Sequence, residues 1–137
     1  MPAAVLVDTN VLLDVLTEDP TFGAWSSEAL ARAADESTLV INPVIYAEVS
    51  VRYDSIEEID ELLPPFQFRR DPLPYDAAFL AGKAFVAYRR RGGTRLSPLP
   101  DFYIGAHAAV AGLRLLTRDP RRYRSCFPVL EILAPDT

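Results

Sequence analysis

Short apolar runs alternate with helix-patterned stretches along this chain, and that alternation restricts the fold more than any other feature. Residues 3–7 are continuously apolar, which suits a strand covered on both faces. Residues 10–16 and 22–35 read as helices, and Thr38–Ile41 as the next strand. Asn42-Pro43 opens a helix running to about residue 53, because Asn42 can cap it and Pro43 fits its first turn. Ser55-x-x-Glu58 is a capping-box pattern that starts a short helix, stopped by Pro64-Pro65. Residues 66–68 are expected to form a short third strand. Tyr75–Arg90 is an amphipathic helix with Ala78, Phe79, Gly82, Phe85 and Val86 on one face, ending before Gly92-Gly93. A loop over residues 92–100 leads to a helix over 101–111, which Gly112 stops. Strands at 113–117 and 129–133 complete the pattern. The expected fold is α/β, a three-layer α/β/α arrangement with a central parallel sheet of four to five strands. It is expected to be a single domain spanning residues 1–137.

The composition permits this. A chain of 137 residues, half of them apolar, buries a real core. No apolar run approaches the ~18–20 residues of a membrane helix, and the first residues lack the pattern of a secretory signal. Cys126 is alone, so no internal disulfide forms and a cytoplasmic setting is expected. Cys126 lies before the last strand, where a small buried apolar filler is the expected role.

Four acids sit where apolar, strand-like runs give way to helices, or just inside those helices. Asp8 closes AVLVD, Glu48 follows LVINP inside its helix, Asp101 opens DFYIGAHAAV and Asp119 follows LRLLTR. Three have ordinary explanations. Asp8 can cap the helix that follows, a contribution of roughly 1 kcal/mol. Asp119-Pro120 fits a cap followed by Pro at the first helical position, and Asp101 suits the positive end of a helix. Glu48 is harder to account for, since Ile45, Tyr46, Ala47, Val49 and Val51 around it are apolar and a buried glutamate needs a partner.

Geometry favours a shared site. In open α/β sheets ligands bind beyond the carboxyl ends of the strands, and all four acids can reach that edge. Carboxylates ~5 Å apart repel by roughly 3 kcal/mol per pair at an effective dielectric near 20. Mg²⁺ or Mn²⁺, hard ions that prefer oxygen, would remove that cost. With one histidine and one cysteine, a zinc site has too few ligands. A carboxylate-held ion without a Ser-His or Cys-His pair points to phosphodiester hydrolysis by an activated water. Asp8, Glu48, Asp101 and Asp119 are the expected catalytic residues, the three aspartates as the metal ligands. Thr9, Asn10 and Thr117 are the supporting groups.

The stretches LVDTNVLLDVL, NPVIYAEVS, LPDFYIGAHAAVAG and LLTRDPRRYRSCFP, in this order and spacing, resemble a PIN-domain ribonuclease of the VapC toxin type. The likeness runs from about Val5 to Leu133. It implies a parallel sheet flanked by helices, Mg²⁺- or Mn²⁺-dependent RNA cleavage, a cognate VapB-like antitoxin and a homodimer. The family's acidic positions fall on Asp8, Glu48, Asp101 and Asp119.

The charge is split. Residues 1–68 hold two arginines against thirteen acids (2 − 13 = −11), and residues 69–137 hold twelve basic residues against six acids (12 − 6 = +6). Binding follows the local field rather than the sum. Arg118, Arg121 and Arg122 flank Asp119 and are the expected RNA-phosphate contacts; the same arginines also suit an acidic antitoxin tail. His107 reads as a packed or surface histidine; Asp14, four residues after Asn10, can reach the cleft behind the other acids but reads first as a solvated acid. Trp25 and Phe22 read as packing residues, and the run from Glu57 to Glu61 as a solvated face. A haloacid-dehalogenase-like phosphatase would need a second aspartate where Asn10 stands. A receiver domain would need a late strand-end lysine, but Lys83, the only lysine, lies mid-helix. A PIN fold that binds RNA or a partner without cutting is the remaining alternative.

Overall fold

A computed structural model of the chain describes residues 4–95 and 99–135. Residue 3, where the first strand was expected to start, and loop residues 96–98 lie outside the described residues. The elements run β1 (Ala4–Val7), α1 (Thr9–Leu16), α2 (Gly23–Glu36), β2 (Thr38–Ile41), α3 (Pro43–Ser50), α4 (Ile56–Leu62), β3 (Phe68–Arg70), α5 (Tyr75–Arg90), α6 (Pro100–Ala111), β4 (Arg114–Leu116), α7 (Arg121–Cys126) and β5 (Ile132–Leu133). All strand pairs are parallel, in the order β3-β2-β1-β4-β5. Successive residues of a strand point to opposite faces. Val5, Leu6 and Val7 are all fully buried, so helices cover both faces of the sheet in three layers.

The strand order decides where a site can form. The chain steps outward from β1 to β2 and β3, then returns to pair β4 with the other side of β1. Neighbouring crossovers therefore leave β1 and β4 in opposite directions and open a crevice at their carboxyl ends. Asp8 ends β1 there, its backbone N–H bonded to the Leu116 carbonyl, and Thr117 ends β4.

Local chemistry sets most boundaries as read. Asn42 accepts the Ile45 N–H and caps α3 at 2.9 Å. Ser55 and Glu58 make the capping box of α4. Gly112 ends α6 in the left-handed region, at φ 67°, which glycine adopts without a Cβ penalty.

Other expectations need correction. The third strand lies at Phe68–Arg70, not 66–68, because Gln67 and Phe68 both turn back to the Pro64 carbonyl, leaving Phe66 exposed. Helix α3 ends at Ser50 rather than near Tyr53; Ser50 Oγ bonds the Tyr46 carbonyl and the next N–H groups tighten to i−3 partners. The last strand is two residues long, since only Ile132 and Leu133 pair with β4. The buried face of α5 is Ala77, Ala81 and Ala84, while Phe79 and Val86 face outward. Small residues there let α5 pack closely against α6, whose Phe102 meets the Phe85 and Tyr88 rings edge-on. Cys126 ends α7 half-buried, packed on the core rather than enclosed in it.

Candidate metal centre at the sheet edge

Asp8 is the centre of the crevice and is 4% exposed. Its Oδ1 accepts the Thr9 N–H at 2.7 Å, which is the capping contact expected from sequence. Its Oδ2 accepts from the Thr117 hydroxyl at 2.9 Å, the Tyr123 hydroxyl at 2.9 Å and the Asn10 amide at 3.3 Å. Even with these donors the carboxyl is pushed up to about 6 from its ordinary 3.8, first by burial and further by the charge of Asp101. The hydrogen bonds from Thr117, Tyr123 and Thr9 offset only part of the cost of burying this carboxylate.

The other acids approach from separate elements. Glu48, on the second turn of α3, is half-buried rather than largely buried, and its Oε1 accepts the Thr9 hydroxyl at 2.6 Å. Burial raises its carboxyl, and the charge of Asp101 adds to this. Asp101, in the first turn of α6, takes the Arg122 guanidinium on Oδ2 at 3.1 Å and the Tyr123 hydroxyl on Oδ1 at 3.3 Å. Asp119 stands at the rim with a 59% exposed side chain, 3.8 Å from Arg121. It does not cap α7: the residue before that helix is Pro120, which has no side-chain cap bond. All four acids line one cleft of about 660 Å³.

Asn10 and Thr117 join the two loops of the crevice. Asn10 donates to Thr117 Oγ1 at 3.1 Å and accepts the Arg118 N–H, while the Asp119 N–H donates to Thr117 Oγ1. The loop carrying Asp119 is thereby fastened to the start of α1. Asp14 departs from its expected solvated place. It is 3% exposed and takes both Arg118 Nε and the Ser26 hydroxyl on Oδ2, at 2.8 Å each. Arg118 lies over the Phe22 ring, 4.6 Å from its centroid. So Arg118 fastens the loop down, whereas Arg121 is almost fully exposed and Arg122 partly so.

His107 is buried in α6 and hydrogen-bonded through Nδ1 to the Asn42 amide at 2.9 Å. Asn42 Oδ1 already accepts the Ile45 N–H, so its amide nitrogen donates and the imidazole accepts. Burial lowers the His107 pKa, and the ring is a packed neutral group as expected. Tyr123 was not singled out from the sequence. Its signal was faint: an amphipathic residue among arginines four positions after Asp119, on a helix too short to show a period.

The donor set fits a hard divalent ion: the acids and hydroxyls that line the cleft offer oxygen and no sulfur or imidazole ligand. The side chains are not gathered tightly. Among the described residues no three His, Cys, Asp or Glu side chains already stand as a group that could hold an ion. Arg122 and Tyr123 engage both oxygens of Asp101 instead.

The PIN domain model matches residues 5–127, and the chain belongs to that family. Solved structures share the fold. One is VapBC2 from Rickettsia felis bound to a DNA fragment from its promoter, 17% identical over 96% of this chain and 98% of that one, with TM-score 0.71. VapBC-1 from nontypeable Haemophilus influenzae is 16% identical over 96% and 97%, with TM-score 0.72. A toxin-antitoxin complex from Klebsiella pneumoniae is 22% identical over 94% and 95%, with TM-score 0.66. No curated protein matches. Among the described residues no helix is long and apolar enough to cross a membrane.

Proposed function

We propose that this PIN-domain protein is a Mg²⁺- or Mn²⁺-dependent endoribonuclease of the VapC type. The observation that carries this reading is the convergence of Asp8, Glu48, Asp101 and Asp119, from four separate segments, on the cleft at the β1/β4 switch point. Asp8, Asp101 and Asp119 would hold the ion, and Glu48, fixed by Thr9, would orient the attacking water. The ion would lower that water's pKa and stabilise the leaving oxyanion. Thr9, Asn10 and Thr117 keep the acids and their loops in place. Arg121 and Arg122, at the cleft mouth, would meet RNA phosphates. Arg118, bound to Asp14, acts more through the loop than through direct contact.

We also infer a toxin role, with a VapB-like antitoxin as partner, a homodimeric state and the reducing cytoplasm as the place of action. The support is the fold shared with chains of VapBC and toxin-antitoxin structures, together with the lone Cys126. One observation favours a second reading, a PIN module that binds RNA or a partner without cutting: both Asp101 oxygens are engaged by the chain's own donors. Incubation with a panel of structured RNAs in Mn²⁺, Mg²⁺ or EDTA separates the two. The proposed reading expects cleavage that EDTA and Asp101→Asn both abolish. Retention of RNA without cleavage under every condition would favour the binding module.

A further inference from the structure

Tyr123 makes more contacts than its burial requires. A buried phenol needs one hydrogen-bond partner, and Asp8 Oδ2 at 2.9 Å supplies it. The same hydroxyl also lies 3.3 Å from Asp101 Oδ1. Its single proton is shared, with the shorter arm to Asp8 just after β1 and the longer arm to Asp101 in the first turn of α6, two positions 93 apart in sequence (101 − 8 = 93). Nothing else in the described structure hydrogen-bonds to both acids.

The ring is fixed as firmly as the hydroxyl. Tyr123 is 1% exposed. Gly105 lies four residues after Asp101 and so on the same face of α6. A Cβ added there would stand 3.0 Å from Tyr123 Cδ1 and 2.5 Å from the Phe127 ring. The missing side chain lets the Tyr123 ring press directly against the helix that carries Asp101. A buried, closely packed ring thus carries the one hydroxyl that reaches both acids.

We propose that Tyr123 is a positioning residue that holds Asp8 and Asp101 at the separation at which they share one divalent ion. The inference rests on the metal-binding reading above and deepens it. Groups that orient metal ligands through hydrogen bonds typically contribute 10–100-fold to affinity. A phenol that instead blocked the ligand oxygens would weaken binding, and its removal would tighten it.

Tyr123→Phe removes the hydroxyl and keeps the ring that packs on Gly105. The measurement is Mn²⁺ affinity of purified protein by calorimetry and by electron paramagnetic resonance of free Mn²⁺, with circular dichroism melts in EDTA to verify the fold. The proposal expects a folded variant that binds Mn²⁺ about 10–100-fold more weakly than wild type. Equal or tighter binding by a folded variant would overturn it while leaving the metal reading intact. If the wild-type protein binds no Mn²⁺, the metal reading fails and this inference fails with it. A variant that does not fold even in EDTA would also overturn it, because the hydroxyl would then be a requirement of the fold rather than of the ligand spacing.

Discussion

Asp8 is buried and carries a raised pKa. Its folded-state pKa, pushed up to about 6, stands above the ordinary 3.8, so between those values the folded protein holds a proton that the unfolded chain has released. Stability in the absence of metal must then fall as pH rises through that window. A difference of about two units corresponds to about 3 kcal/mol in all, complete above pH ~6. Melts in EDTA from pH 4 to 7 should show this decline, and Asp8→Asn should flatten it. The variant should also be less stable near pH 4, where Asp8 is protonated and charge relief is absent, because an amide nitrogen would have to face one of the donors that now surround both oxygens. An unchanged slope in the variant would place the titration elsewhere.

At the scale of elements, two contacts hold the site's frame. The first is the close approach of α6 and α7 through Gly105. Gly105→Ala would drive a methyl into Phe127 and Tyr123, an overpacking typically worth about 1–3 kcal/mol. A fall in melting temperature together with weaker Mn²⁺ binding is expected, since the same shift moves Tyr123. The second is Asp14, which joins α1 to α2 through Ser26 and to the β4–α7 loop through Arg118. Asp14→Ala strands the Arg118 guanidinium. The loss should be about 2 kcal/mol, below the roughly 3–5 of a fully buried pair because Arg118 is about a third exposed. Chemical denaturation checks this; a change under 0.5 kcal/mol, the scale of an ordinary surface substitution, would mean that the loop is held by Asn10 and Thr117 alone.

At the scale of the whole molecule, the sheet was legible because βα alternation, Asn42-Pro43 and the glycine stop at Gly112 each act locally. The places of Asp8 and Asp119 were legible for a related reason, because a strand end is a position that sequence can mark; Asp101 and Glu48 lie in the first and second turns of helices whose starts local patterns mark. Asp14 was not, because its burial depends on Arg118, 104 positions away. Tyr123 was not, because its role arises only when α7 folds back against the start of α6. The exposed face of α5 was misread for the same cause. Its alanines are inward because a neighbouring helix needs the room, and no single-helix pattern states that.

The central claim is that carboxylates at the β1/β4 crevice hold an ion that drives water onto an RNA phosphate. The ends left by cleavage test it most directly. Attack by water leaves a simple phosphate on one end and a hydroxyl on the other, whereas attack by the neighbouring ribose hydroxyl leaves a 2′,3′-cyclic phosphate. Mass spectrometry of the fragments formed in Mn²⁺ should find only hydrolytic ends, and none from Asp101→Asn or in EDTA. Cyclic phosphate ends, or fragments that persist unchanged in EDTA, would contradict the account.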